Sequence, residues 1–121
     1  MVTAFNGRCW RRVVMNQELD KALADCDEAI SRDPDNWLPV DSRAWVRLRQ
    51  GQWQEARAEF DRSLALKADR VSSLYGRGIA KLNLGDKPGG EADLAAARKS
   101  RPDVDADYRR GGMSAAQLAP H

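Results

Sequence analysis

Few residues in this chain are equipped for covalent chemistry, and their spacing narrows what they can do. Cys9 and Cys26 are the only thiols and His121 is the only imidazole. A general acid–base pair or a nucleophilic triad needs a base held beside its partner, and one histidine in the last position supplies none. Asp25, Asp27 and Glu28 lie close in sequence, but their spacing reads as the solvated face of a helix. Two thiols without a neighbouring histidine or a second cysteine pair do not complete a four-ligand zinc set, so no metal is expected. Gly76-Arg77-Gly78 and Gly89-Gly90 lack the preceding strand and the following Gly-Lys-Ser/Thr of a phosphate loop. Neither enzymatic activity nor a cofactor is expected.

A different pairing repeats. Arg8 precedes Asp25 by 17 positions, while Arg43 precedes Glu59 and Arg77 precedes Asp93 by 16. In an antiparallel helical hairpin these places lie roughly opposite each other, so each hairpin would carry one arginine–carboxylate pair, with the planar guanidinium suited to bidentate contact. Recurrence in three copies points to a role in the fold. Cys9 and Cys26 are also 17 apart, and the same hairpin brings them face to face. They form either a disulfide, in an oxidising compartment, or a pair of small buried core residues in a reducing one.

Positioning such pairs takes a repeated hairpin. Ala22, Ala56 and Gly90 recur at a step of 34, as do Cys26, Phe60 and Leu94, then Ala29, Ser63 and Ala97, then Pro34, Ala68 and Pro102. A unit this long, read as helix A, turn, helix B, turn, cannot bury its apolar face alone and must stack on copies of itself. The units run over about 3–36, 37–70 and 71–104. The B helices keep one apolar face, as in Leu19, Leu23, Cys26 and Ile30. The A helices share Arg8-Cys9-Trp10, Arg43-Ala44-Trp45 and Arg77-Gly78-Ile79, at steps of 35 and 34. Unit one therefore holds one extra residue, expected in the turn near Asn16.

Gly51 and Gly85 fit the left-handed position that closes helix A, with Gln17 expected in that place in unit one. Asp33-Pro34-Asp35 ends the first unit and Asn36 caps the next helix. Asp86-Lys87-Pro88-Gly89-Gly90 predicts a third B helix that starts late or frays, because each glycine costs about 0.8–1 kcal/mol relative to alanine. A short helix over about 103–110, capped by Asp103, would cover the last apolar edge, and residues 111–121 are expected to be disordered.

Small residues near the eighth, twentieth and twenty-seventh places, a glycine turn near the fifteenth, a large apolar residue at the twenty-fourth and proline near the thirty-second resemble the tetratricopeptide repeat. The resemblance covers about residues 3–104, and the Arg-Cys-Trp start followed by Leu-Asp-Lys-Ala-Leu-Ala-Asp-Cys looks like a bacterial subgroup mostly of unassigned function. It departs at the family's aromatic places, filled here by Val40, Leu74, Arg47 and Lys81. It implies an all-α solenoid, a right-handed superhelix of three helix-turn-helix repeats over 3–110, whose concave face of A helices binds a peptide or helix of a partner protein.

On that basis the groove would be Asn6, Asp41 and Tyr75; Trp10, Trp45 and Ile79; and Val13, Leu48 and Leu82, rimmed by Arg49 and Asn83. Trp10 and Trp45 either anchor a ligand there or pack between successive A helices. The family's carboxylate clamp is absent: Leu38, Asp41, Ser42 and Trp45, then Ser72, Tyr75, Gly76 and Ile79, offer no cationic cluster. An apolar or basic segment is the expected ligand, with Asp41 and Tyr75 receiving a lysine or arginine.

Composition agrees with a protein partner. A net charge of +2, from 20 Lys and Arg against 18 Asp and Glu, is too weak to mark a nucleic-acid or lipid surface. A nucleic-acid adaptor using Arg11, Arg12, Arg47, Arg49, Arg109 and Arg110 is accordingly disfavoured; it would bind with steep salt dependence. Self-assembly through the open edge of unit one, giving a homo-oligomer, is the main alternative. No apolar run approaches the roughly 20 residues of a membrane span, so no insertion is expected. The sequence does not name the compartment: a soluble chain is expected, cytoplasmic or, if a leader has been removed ahead of the abrupt helical start at Thr3, periplasmic.

Overall fold

The 34-step positions within the B helices are buried, while the turn positions Pro34, Ala68 and Pro102 are exposed. In a computed structural model describing residues 2–120, Ala22 and Ala56, Cys26 and Phe60, and Ala29, Ser63 and Ala97 are sealed from solvent, with Leu94 and Gly90 also buried. His121 lies outside the described residues. Small side chains at these places let helices approach, and the large residue between them fills the gap.

Helices α1 (Val2–Met15) and α2 (Leu19–Arg32), α3 (Trp37–Arg49) and α4 (Trp53–Leu66), and α5 (Val71–Asn83) and α6 (Lys87–Ser100) form three hairpins. Each B helix also packs on the next A helix, α2 on α3 and α4 on α5, while α1, α3 and α5 lie side by side. The result is an α-solenoid of helical repeats. Two short helices follow, α7 (Val104–Arg109) and α8 (Ala115–Leu118).

The A-to-B turns share one hydrogen-bond plan. Gln17, Gln52 and Asp86 N–H groups reach back to the Arg12, Arg47 and Lys81 carbonyls at 3.0, 2.9 and 2.9 Å. The residue before each is left-handed: Asn16 at φ 51°, Gly51 at 74° and Gly85 at 88°. Asn16, not Gln17, thus holds the glycine place in unit one, because a short amide side chain tolerates that region best among non-glycines. In units two and three a single residue, Gln52 or Asp86, closes one helix and accepts the first bond of the next. In unit one Gln17 closes and Glu18 accepts, from Ala22 N–H at 3.0 Å. That division is the inserted residue, and it leaves Glu18 left-handed as well, at φ 52°.

Two further expectations fail. Helix α6 does not start late: it begins at Lys87, with Asp86 accepting from the Gly89 N–H at 3.0 Å. Its glycine has a packing function, since a Cβ at Gly90 would stand 2.8 Å from the Gly78 carbonyl oxygen of α5. The close approach of the two backbones, together with the cap, offsets the propensity cost. Nor are residues 111–120 without packing. Met113, Ser114 and Ala115 are 2%, 3% and 6% exposed, because the segment after Gly111-Gly112 folds back onto the A helices.

Candidate functional site

The A-helix face is built from side chains one turn apart on α1, α3 and α5, and it is largely filled. Of the expected groove residues, Val13, Trp45, Leu48, Tyr75 and Ile79 are fully buried or nearly so, as are Asn6 and Asp41, while Trp10, Leu82, Arg49 and Asn83 keep partial access. Trp45 is a core residue. Phe60 and Trp10 meet it edge-on at 5.7 and 6.2 Å, and Tyr108 of α7 stacks on it at 5.1 Å. Tyr108 also stacks on Tyr75 at 4.9 Å. Trp10 stays half-buried at the edge of the face.

The chain's own C-terminal segment covers part of what remains. The Arg49 guanidinium donates to the Gly111 and Gly112 carbonyls and, from Nε, to the Val13 carbonyl at 3.2 Å. One repeat further on, Asn83 Nδ2 donates to the Leu118 carbonyl at 2.9 Å. Between them Tyr75 Oη accepts from the Ala115 N–H at 2.6 Å and donates to Asp105 Oδ1 at 2.7 Å. Burial, then the bond to Asp105, pushes the Tyr75 hydroxyl above its ordinary pKa. Asp105 is held below the usual carboxylate range by its hydrogen bond from Arg98.

Asp41 and Tyr75 therefore do not form one receptor for a cation. Asp41 on α3 instead accepts from Ser72 and Ser73, in the first turn of α5, at 2.7 Å each. Trp45 Nε1 donates to Ser72 Oγ at 3.1 Å, and Ser63 Oγ lies 2.8 Å from Ser73 Oγ. Burial raises the Asp41 pKa to about 6, the two serine bonds opposing it. Above this network opens an apolar-walled cleft of about 310 Å³, lined among others by Asn6, Trp10, Trp37, Leu38 and Tyr108, with Asp41 and Ser72 at its base. Leu38 is 41% exposed.

The repeated arginines bridge more than one hairpin. Arg43 reaches Glu59 of its own unit at 2.7 Å and Asp27 of the preceding unit at 2.9 Å. Arg77 repeats this with Asp93 at 2.8 Å and Asp61 at 2.9 Å. Asp93 is held below its ordinary pKa: burial works against this, but bonds from Arg77 and Lys81 prevail. Arg8 meets Asp25 at 3.2 Å and shares it with Arg12. Cys9 and Cys26 are joined in a disulfide, their Cα atoms 5.6 Å apart.

The residues missing from the sequence reading are those of the covering segment: Asp105, Tyr108, Met113, Ala115 and Leu118. One signal was there. Ser114-Ala-Ala-Gln117 has the spacing of a capping box, and Gln117 Oε1 does accept from the Ser114 N–H at 3.0 Å.

No known protein-family profile matches the chain. It is similar to DnaJ homolog subfamily C member 3 of Mus musculus, 29% identical over 92 residues, which is 76% of this chain and 18% of that relative. The chain thus spans under a fifth of the relative's length. With the helical hairpins, this similarity fits a tetratricopeptide-like fold; a mouse relative lends no support to a bacterial grouping. No helix among the described residues is long and apolar enough to cross a membrane.

Proposed function

We propose that this chain is a protein-interaction module that takes a peptide or helix of a partner on its A-helix face, acting by binding and not by catalysis. The observation that carries this is the cleft walled by Trp10, Trp37, Leu38 and Tyr108, which stays open beside the covered part of the face. Rigid aromatic walls around a few polar groups are the composition of binding hot spots. Similarity to the mouse DnaJ homolog across the helical repeats supports a protein-facing role.

The arginines of the nucleic-acid alternative are partly committed elsewhere. Arg12 pairs with Asp25, Arg47 donates to Gln52, and Arg49 holds main-chain carbonyls. Affinity capture from the source organism's lysate tests the reading, with wild type and Leu38→Glu as baits. A protein retained in stoichiometric amount by wild type and lost from an equally stable Leu38→Glu supports it. Equal retention by both baits contradicts a site at the cleft.

A further inference from the structure

We propose that the covered part of the A-helix face is a main-chain-reading peptide site, that Gly111–Leu118 is its resident and displaceable occupant, and that the partner it fits is a segment of the same kind. This rests on the reading of that face as an interaction surface, and it adds what the surface recognises. Three features of the contact carry it.

First, the face contributes side chains and the segment contributes backbone. Arg49 donates to the Gly111 and Gly112 carbonyls, Tyr75 accepts from the Ala115 N–H, and Asn83 donates to the Leu118 carbonyl. Arg49 and Asn83 stand 34 positions apart, so equivalent places in successive repeats read equivalent groups, as a solenoid does along a bound chain.

Second, the segment is seated by few side chains: Met113 and Ala115 join the core and Leu118 packs against it. Met113, Ser114 and Ala115 are under cover, whereas Ala116 and Gln117 face solvent. Four residues of helix do not sustain themselves in water, so α8 owes its shape to the face beneath it. Third, the connection is Gly111-Gly112, with Gly112 at φ 74°, where the Gly112 and Met113 N–H groups close α7 on the Arg109 and Tyr108 carbonyls at 3.0 Å each. The segment thus hangs from a glycine cap beyond which it can leave while α7 stays seated through Tyr108.

The occupant defines the ligand chemistry. A small residue suits its first place, where a Cβ at Gly111 would stand in contact with Val14 Cγ1 at 3.4 Å. An apolar anchor follows at the Met113 place, then a serine-started helical turn whose small residue packs under Tyr75. A tethered occupant competes at an effective concentration on the order of millimolar, so a free peptide of this kind binds wild type weakly.

The test measures the anisotropy of a fluorescein-labelled peptide of residues 109–120 against full chains. Two variants loosen the resident segment while leaving the residues of the face unchanged: Met113→Asp, which would bury a carboxylate, and Gly112→Val, which strains a left-handed position and sets a Cβ 3.6 Å from Arg49 Nη1. Both are expected to bind the peptide at least tenfold more tightly than wild type, and adding Asn83→Ala to either is expected to reverse the gain. Equal affinity for wild type and both variants, or no binding to a variant that melts cooperatively, overturns the proposal. Failure of both variants to fold overturns it too, by showing the segment to be integral. A wild-type dimer that becomes monomeric in Met113→Asp would assign the segment to a second copy and overturn the intramolecular seat. Loss of capture through Leu38→Glu is independent of all these outcomes, so the two readings fail separately.

Discussion

The Tyr108 ring lies 15° from parallel to the Trp45 indole, centroids 5.1 Å apart. That contact joins the first turn of chain beyond the repeats to the centre of the second one. Tyr108→Ala should cost about 2–3 kcal/mol, as a partly buried aromatic removed from a stack. Tyr108→Phe should cost less than about 1 kcal/mol. Urea denaturation followed by tryptophan fluorescence checks both, and equal costs would contradict a stacking role.

Asp41 gives the fold an unusual pH response. Its folded pKa of about 6 lies above the unfolded value of about 3.9. The folded state therefore holds the proton more tightly, and this contribution is full below pH ~4 and lost as pH rises through ~6. Relative to Asp41→Asn, wild type should lose on the order of 1–3 kcal/mol between pH 4 and pH 7. Paired denaturation curves cancel the other carboxylates, and a pH-independent difference would contradict the burial of an ionisable Asp41.

The Cys9–Cys26 bond closes a loop 17 residues long, for which chain entropy gives about 3 kcal/mol. Reductant should lower the melting temperature of wild type and leave a Cys9→Ala/Cys26→Ala variant unaffected. The loss should concentrate in α1 and α2, visible as faster amide exchange there than in α5.

Arg43 is mostly enclosed, with 20% of its side chain exposed, whereas Arg8 keeps 48% and is backed by Arg12 on the same carboxylate. Arg43→Met should therefore cost about 1–2 kcal/mol and Arg8→Met under ~0.5 kcal/mol. Thermal melts of the two variants decide this, and a larger loss at Arg8 would contradict the bridging role of Arg43.

Much of the scaffold was legible because it repeats. The step from Ala22 to Ala56 to Gly90 predicts which residues are buried, and the 16- and 17-residue spacings predict which side chains meet across each hairpin. What could not be read was anything settled by a single, unrepeated contact. Gly90 looks like a helix breaker until the Gly78 carbonyl is seen beside it. Tyr108 and Met113 carry no periodic signal, so nothing in the sequence says that the chain doubles back over Trp45 and Tyr75. Of the residues expected to line a groove, Val13, Trp45, Leu48, Tyr75 and Ile79 are core, and the segment covering that face was not foreseen.

The direct test of that covered face is hydrogen exchange at one amide. Among the described residues the Ala115 N–H is bonded only to Tyr75 Oη, at 2.6 Å, outside any helical ladder, so its protection reports the seat of the segment. The prediction is a protected Ala115 amide in wild type that exchanges freely in Tyr75→Phe, while the Ile79 amide within α5 stays protected in both. An Ala115 amide that already exchanges at the unstructured rate in wild type would contradict the account, leaving the A-helix face open.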